Sequence, residues 1–274
     1  MCVLVVIVTY YPKKDLLLRN LQAYIDEVDK VLIWENTPEI ERYKYRFIND
    51  DKVEYHGDGV NSISHGLNYA WNYARENGYD YLLTMDQDSV LEDGRRYLRT
   101  SMDFLGMKHK IGLIGPLINS YVIDNLIIPL GDNEHLITSA MLVPVCLLNQ
   151  LGGYCEDFVI DGVDIDICIR ARLNGYDIYK NTNGVLHQIF GKPYERTLFG
   201  KKYIGSNYDQ RRLYSIFFSH MLLYRRYKCA IASHMLMVYF KHFIPRIIFW
   251  EGNKMSKILA IFNGIKDGLT NTKW

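Results

Sequence analysis

Residues 79–89 read YDYLLTMDQDS, an apolar, strand-like run that leads directly into two carboxylates, Asp86 and Asp88, separated by one residue. A buried strand that ends in this way directs both side chains at a charged partner, and a divalent cation is the simplest candidate. Alone, the pair is also compatible with a surface turn or with the N-caps of a helix. Its position at the end of a strand favours the cation.

Strand-like and helix-like segments alternate around this stretch. Strand-like runs cover residues 3–10, 31–34, 53–56 and 111–115, and helical spacing covers residues 16–25, 63–74 and 92–104. This alternation predicts an α/β fold with a mainly parallel sheet, whose ligands collect beyond the carboxyl ends of its strands. Residues 123–130 and 136–144 are strand-like without a helix between them and predict a mixed or antiparallel extension. Shorter strands are predicted at 176–179 and 184–187.

Length and composition fit one large domain with an appendage. The chain has 274 residues, 49% of them hydrophobic, which excludes disorder and collagen-like structure. We expect a main domain over residues 1–200 and a helical region over residues 201–274. Five scattered cysteines without a C-x-x-C pair suggest neither disulfides nor a zinc site, and reduced thiols predict a cytosolic protein. The apolar start lacks a basic region and reads as a first strand, not a signal peptide.

Two further features carry chemically useful side chains. Asp161, Asp164 and Asp166 open a predicted amphipathic helix, where they either stabilise its N-terminus or supply a general base. Asp164 is our candidate for the base that removes a proton from a hydroxyl nucleophile. His187, at the end of a predicted strand, is either a core histidine or a ligand of a metal or diphosphate.

Taken in order, these segments resemble the family 2 glycosyltransferases, and among them the bacterial rhamnosyltransferase-like enzymes. The resemblance extends over residues 3–230 and implies a GT-A fold and inverting transfer from a nucleotide sugar. Asp-Gln-Asp-Ser is more specific than a generic Asp-x-Asp. The matching segments are VVIVTY (residues 5–10), residues 61–68, MDQDS (85–89), DIDICIR (164–170) and LH (186–187).

The resemblance assigns roles residue by residue. Asp88 and His187 would bind Mg²⁺ or Mn²⁺, and Asp164 falls where the family places its catalytic base. Val163 stands where the family has a glutamate, and Asp161 would substitute for it. The residues implied to bind substrate are Thr9 and Tyr10 in the nucleotide pocket, Asn36 near the base or ribose, Asn61 near the nucleotide, Asp86 on the ribose side, Asp161 and Arg170.

These residues predict a metal-dependent, inverting glycosyltransferase. The favoured donor is dTDP-rhamnose, and the acceptor is a hydroxyl of a lipid-linked precursor of a cell-surface polysaccharide such as O-antigen or capsule. A sugar nucleotidyltransferase is an alternative, but the loop at residues 9–12 lacks the Gly-rich, basic character that such enzymes use. A non-catalytic carbohydrate-binding or scaffold protein is the second alternative.

The C-terminal region is strongly basic, since residues 201–274 contain 13 Lys and Arg against 3 Asp and Glu. Lys241, His242, Pro245 and Arg246 interrupt its apolar run, so we expect no transmembrane span but two or three helices broken near Pro245. Basic and aromatic residues suit a membrane interface. We therefore expect a peripheral protein on the cytoplasmic face of the cell membrane that does not bind nucleic acid. A helical cap or dimer contact is the alternative.

Overall fold

The computed structural model describes residues 1–107, 110–120, 126–198 and 200–270. It divides into two compact units. Unit 1 comprises residues 1–159 and 163–188, and unit 2 comprises residues 160–162 and the chain from Ile189 onward. The sequence predicts a division at residue 200, and residues 189–198 belong here to unit 2.

The first half of unit 1 is a set of parallel strands in the order β3-β2-β1-β4. Most β-branched and leucine side chains of β2, β1 and β4 are buried on both faces, as in a sheet covered by helices, while β3 at the edge is partly buried. The elements are β1 (Val3–Thr9), α1 (Lys14–Gln22), β2 (Lys30–Glu35), α2 (Glu39–Arg42), β3 (Val53–His56), α3 (Ile63–Glu76) and β4 (Tyr81–Asp86).

The second half of unit 1 extends the same sheet with mixed strand directions. The elements are β5 (Val90–Glu92), α4 (Gly94–Met107), β6 (Ile111–Ile118), β7 (Ile127–Pro129), β8 (Met141–Pro144), α5 (Val145–Leu151), α6 (Val163–Leu173) and β9 (Asp177–His187). Within the described residues the order is β3-β2-β1-β4-β8-β6-β9-β5, with β7 beside β9. Because β8 is antiparallel to both β4 and β6, the predicted α/β fold and mixed extension are confirmed.

Several element boundaries differ from the sequence-based expectations. The helix predicted from residue 92 begins only at Gly94, because residues 90–92 pair with β9 as a strand. Residues 176–179 and 184–187 belong to one strand, because buried Asn181 donates to the Tyr97 carbonyl and so anchors the polar middle of β9 to α4. Of the strand expected at 123–130, residues 127–129 form β7, and residues 121–125 lie outside the described part.

A close contact between α3 and β2 fixes the position of the first turn of α3. Gly66 lies directly on Trp34, and a Cβ atom at residue 66 would come within 2.4 Å of the indole Cδ1. Only glycine allows this approach, which brings the first turn of α3 next to the end of β2.

Unit 2 consists of a β-hairpin followed by helices. Gly264 and Gly268 let α9 approach α7 closely, since a Cβ at residue 264 would lie 2.5 Å from the Tyr214 carbonyl oxygen. The predicted break at Pro245 is wrong, because α8 continues through it, with Phe243 and Ile247 buried on either side. The elements are β10 (Tyr194–Leu198), β11 (Lys201–Gly205), α7 (Gln210–Tyr227), α8 (Ala230–Phe249) and α9 (Lys254–Thr270). In the part of the chain that is described, no helix is long and apolar enough to cross a bilayer.

Candidate functional site

The candidate site lies at the edge of the sheet where the parallel strands of unit 1 end. Thr9 at the end of β1 pairs with Glu35 of β2, and Val8 pairs with Asp86 of β4. Because these strands are parallel, their carboxyl ends share one edge of the sheet, which is where ligands bind in α/β folds.

Strand β9 brings His187 to the same turn. His187 ends β9 and lies opposite Val90 of β5, two residues after Asp88. Asp86, Asp88 and His187 are therefore brought together by strand pairing, although they are distant in sequence.

The Asp86-Gln87-Asp88-Ser89 turn is held by side chains from two other segments. The amide nitrogen Nδ2 of Asn20 donates to the carbonyl oxygens of Asp86 and Ser89, at 2.8 Å each. The hydroxyl of Ser139 accepts from the Asp86 backbone N–H at 3.1 Å. Because Asn20 is fully buried in α1, the conformation of the turn is fixed by the protein itself.

The side chain of Asp86 is oriented by a neighbour that follows His187 directly. Gln188 Nε2 donates to Asp86 Oδ2 at 2.8 Å. Gln188 Oε1 is buried and has no hydrogen-bond partner in the described part of the chain. This amide can therefore orient Asp86 and still accept a hydrogen bond from a ligand.

Asp88 differs from Asp86 in its surroundings. Its side chain keeps solvent access, yet the neighbouring protein desolvates it and raises its pKa, an effect opposed by its own backbone N–H and by the charge of Lys13. Within the described residues no basic side chain forms an ion pair with it. A bound cation would stabilise the ionised form of such a desolvated carboxylate.

His187 already has a partner at the site. Its Nε2 lies 2.6 Å from Glu92 Oε2, and both side chains are about half exposed. Histidines that bind metals commonly use a carboxylate in this way to fix the ring orientation.

The described residues contain no group of three or more His, Cys, Asp or Glu side chains placed to hold a metal ion. Asp88 and His187 could supply two ligands at most, and diphosphate and water oxygens would complete the coordination sphere. Carboxylate and imidazole ligands with added oxygens suit Mn²⁺ or Mg²⁺, so the residues present fit such an ion as part of a complex with a diphosphate.

The residues predicted to line a nucleotide pocket fall into two groups. Thr9 is buried and its Oγ1 donates to the Trp34 carbonyl at 3.2 Å, so its hydroxyl supports the sheet from inside and does not face a ligand. Tyr10, by contrast, is 47% exposed. Asn61 is exposed and directly precedes Ser62, which is the N-cap of α3.

Asn36 occupies a central position between these segments. Its backbone N–H donates to the Thr9 carbonyl at 2.8 Å, and its Nδ2 donates weakly to the Ser62 carbonyl at 3.4 Å. Its Oδ1 atom is buried without a hydrogen-bond partner in the described residues. A buried acceptor of this kind costs stability unless a ligand supplies a donor.

Asp164 is half-buried in the first turn of α6. The segment before α6 is attached to α3, because the Ile63 N–H donates to the Val159 carbonyl at 2.8 Å. Asp164 also interacts electrostatically with His135, which lines a cavity of about 260 Å³ beside β6. Burial lowers the pKa of His135, and the charge of Asp164 opposes this shift.

Arg170 makes internal contacts that give it a structural role. Its guanidinium pairs with buried Asp166 at 2.7 Å, and its Nη1 donates to the carbonyls of Leu151 and Gly153. These bonds fasten α6 to the end of α5. The sequence motif did not reveal this function, because a helical Asp–Arg pair four residues apart looks the same on an exposed face.

Asp161 belongs to unit 2 and precedes α6, so it is not part of the helix start as the sequence suggested. Its carboxylate accepts from Arg212 Nη2 at 2.8 Å. Arg212 in turn lines a cavity of about 460 Å³ in unit 2.

Four residues of the candidate site were not recognised in the sequence. Asn20 could have been found from the sequence, because it is a polar residue at helical spacing within the apolar stripe of α1. The others depend on pairing between distant strands and have no local signature. The four residues are Asn20, Glu92, Ser139 and Gln188.

No protein-family model and no curated protein matches this sequence. Solved structures match its fold. GalNAc-T7 with UDP, GalNAc and Mn²⁺ has a TM-score of 0.62 at 9% identity, over 99% of this chain and 56% of that chain. The chain thus spans little more than half of GalNAc-T7.

TarS 1–349 from S. aureus has a TM-score of 0.56 at 13% identity, over 98% of this chain and 81% of that chain. TarS in complex with UDP-GlcNAc has a TM-score of 0.52 at 13% identity, over 97% and 81%. At these identities the likeness concerns the fold, which is of the GT-A type.

Proposed function

We propose that this protein is an inverting glycosyltransferase that transfers a sugar from a nucleotide-sugar donor to a hydroxyl group. The observation that carries the proposal is the rigidly braced Asp86-Gln87-Asp88 turn at the carboxyl end of β4, beside the end of β1. The GT-A fold supports it, because the similar structures of GalNAc-T7 and TarS contain UDP and UDP-GlcNAc.

The donor would bind through its nucleotide at the edge formed by β1, β2 and β4. The unpaired Oδ1 of Asn36 suits the N–H group of a uracil or thymine base. Asp86, oriented by Gln188, suits the ribose hydroxyls, while the exposed Tyr10 and Asn61 would flank the nucleotide. Uracil and thymine present the same N–H, so this site accommodates dTDP-rhamnose, favoured by the sequence resemblance, as well as UDP sugars.

Asp88 and His187 would hold Mg²⁺ or Mn²⁺ together with the diphosphate of the donor. When bound, such an ion neutralises the charge that develops on the leaving diphosphate. Glu92 would keep the His187 ring oriented. The raised pKa of Asp88 supports this assignment, because a desolvated carboxylate without a basic partner is stabilised by a cation.

Asp164 would act as the general base. It accepts the proton of the acceptor hydroxyl as the hydroxyl oxygen attacks the anomeric carbon, and the bond from that carbon to the diphosphate breaks with its electron pair. Burial lowers the pKa of His135, which favours the neutral imidazole beside the carboxylate of Asp164. Arg170 would support this side of the site through Asp166.

The acceptor would be a lipid-linked precursor of a cell-surface polysaccharide, with the enzyme on the inner face of the cell membrane. The excess of basic residues in 201–274 supports this location, because anionic headgroups attract Lys and Arg side chains.

A donor panel tests the proposed function. The protein would be incubated with dTDP-rhamnose, UDP-GlcNAc, UDP-GalNAc and UDP-glucose, each with Mg²⁺, Mn²⁺ or EDTA, and nucleoside diphosphate release would be recorded with a mixed glycan acceptor. We expect release from one pyrimidine donor, and only with a metal ion. Pyrophosphate release from a nucleoside triphosphate would identify a nucleotidyltransferase, and tight donor binding without turnover would identify a carbohydrate-binding protein.

A further inference from the structure

Helix α9 has two faces of different character. One face is buried against α7 through Ile261, Gly264 and Gly268. The other face presents large apolar side chains to solvent, with Phe262 61% and Met255 80% exposed. The exposed set, called here the outer face of α9, consists of Met255, Ile258, Leu259, Phe262 and Leu269.

The spacing of these residues makes a continuous stripe. Steps of three and four residues from Met255 to Phe262, and of seven from Phe262 to Leu269, keep the side chains within an arc of roughly 100° on the helix. An apolar stripe of this kind normally faces a protein core. In α9 the core side is already occupied by the glycine-rich face, so the outer face needs another apolar partner.

The acidic residues of this region are all engaged within unit 2. Asp209 accepts from the backbone N–H of Arg212 at the start of α7, and Asp267 accepts from the Tyr214 hydroxyl at 2.9 Å. Glu251 is buried and accepts from Lys257 Nζ at 2.8 Å. These are the only three acidic residues among 13 Lys and Arg in residues 201–274.

Basic residues accompany the apolar stripe. Lys266 lies within the arc and Lys254 borders it, both exposed, and the one acidic residue of the helix, Asp267, points to α7. The outer face of α9 is therefore apolar and positively charged. A second copy of the same face would bring like charges together, whereas an anionic lipid surface complements both properties.

We propose that the outer face of α9 binds the surface of anionic lipid bilayers. Its apolar side chains would enter the boundary between headgroups and acyl chains, while Lys254 and Lys266 contact anionic headgroups. This inference goes beyond the membrane contact expected of residues 201–274 as a whole, because it assigns the contact to one face of one helix. It rests on the proposed function only in that a lipid-linked acceptor would lie in the same membrane. Lipid binding and sugar transfer are measured separately.

Vesicle flotation tests the proposal. The full chain would be mixed with vesicles of phosphatidylcholine alone or with about one-third phosphatidylglycerol. We expect binding to the anionic vesicles, weak binding to the neutral ones, and a decrease in binding with added salt. L259E/F262E would reduce the partition coefficient between bilayer and water by about tenfold or more, because two side chains that would enter the bilayer become charged.

The control is Asn263→Glu, which adds one of the two negative charges of L259E/F262E, at an exposed polar position of α9 outside the apolar stripe. It should retain most of the binding, and all variants should keep the wild-type melting temperature because the altered positions are exposed. Absence of wild-type binding to anionic vesicles, or equal binding by L259E/F262E, would overturn the proposal. So would light scattering that shows a wild-type oligomer which L259E/F262E disrupts while vesicle binding persists.

Nucleoside diphosphate release with a soluble acceptor separates this proposal from the proposed function. L259E/F262E should release nucleoside diphosphate at the wild-type rate. A protein that binds vesicles and lacks transfer activity would contradict only the proposed function.

Discussion

Gln87 and Tyr10 exchange two hydrogen bonds at the edge of the unit 1 sheet. The Tyr10 backbone N–H donates to Gln87 Oε1 at 2.7 Å, and Gln87 Nε2 donates to the Tyr10 carbonyl at 3.0 Å. The amide between the two aspartates thus joins the end of β1 to the turn after β4. Gln87 positions the carboxylates on either side of it, which explains why glutamine suits the middle of this motif.

Gln87→Ala should weaken donor binding without unfolding the protein. The two lost hydrogen bonds hold the turn in the conformation that binds the donor, and each is worth about 0.5–1.5 kcal/mol. If binding must restore that conformation, the loss corresponds to a rise in Kd of about five-fold to more than a hundred-fold. Calorimetric titration with the nucleotide sugar measures the effect. Gln22→Ala, at an exposed position at the end of α1, is the control and should bind normally. Equal affinity of Gln87→Ala and wild type would remove Gln87 from the site.

Asn20→Leu should destabilise the protein strongly, because Asn20 is buried and holds the turn at residues 86–89. The substitution leaves the buried Tyr24 hydroxyl and the carbonyls of Asp86 and Ser89 without their donor or acceptor. We expect a loss of about 2–5 kcal/mol in the free energy of unfolding, measured with urea. Asn49→Leu, in an exposed segment, should change it little. A small effect for Asn20→Leu would show that the turn does not need this brace.

Asp88→Asn should raise the melting temperature at pH 7. Desolvation raises the folded-state pKa of Asp88, so ionisation of this group disfavours folding at a pH above both pKa values and has no effect below them. The gain from Asp88→Asn should therefore shrink as the pH falls from 7 toward 4. The exposed Asp103→Asn is the control. A lower melting temperature at pH 7 would mean that the Asp88 carboxylate is stabilised by contacts within the protein.

The same variant should lose the thermal shift caused by a metal ion. Mn²⁺ with a nucleoside diphosphate should raise the melting temperature of the wild type but have little effect on Asp88→Asn. Equal shifts in both proteins would exclude Asp88 as a metal ligand.

Arg170→Met should act on stability, because it removes the ion pair that Arg170 makes with buried Asp166. A loss of about 3–5 kcal/mol is expected in urea unfolding. The double variant D166L/R170M should recover most of it, since an apolar pair replaces the ion pair. If Arg170→Met instead keeps its stability and raises the KM for a substrate, the role implied by the family resemblance applies.

The fold was largely predictable because its signals are local. The β-branched runs and helical spacing of residues 3–86 identify each βα unit, and the adjacent strand-like runs indicate the mixed extension. Two details needed tertiary information. The strand at Val90–Glu92 is too short to show a period, and Pro245 is tolerated because Phe243 and Ile247 pack on both sides of it.

The candidate site was predictable for those residues whose location follows from their position at the end of a strand. Residues at or after the end of a parallel strand must lie at that edge of the sheet, and Tyr10, Asp86 and Asp88 lie there. The direction of a side chain was not predictable. The Thr9 hydroxyl turns inward to the Trp34 carbonyl, a contact set by the register of two strands rather than by the motif.

The most direct test of the proposed chemistry compares the wild type with Asp164→Asn. The donor identified in the panel would be used at saturation, and kcat for sugar transfer would be measured alongside donor affinity and melting temperature. We predict a decrease in kcat of about 10²–10⁴-fold with donor affinity and melting temperature unchanged, because only the proton acceptor is removed. Transfer by Asp164→Asn at the wild-type rate would contradict the assignment of Asp164 as the base.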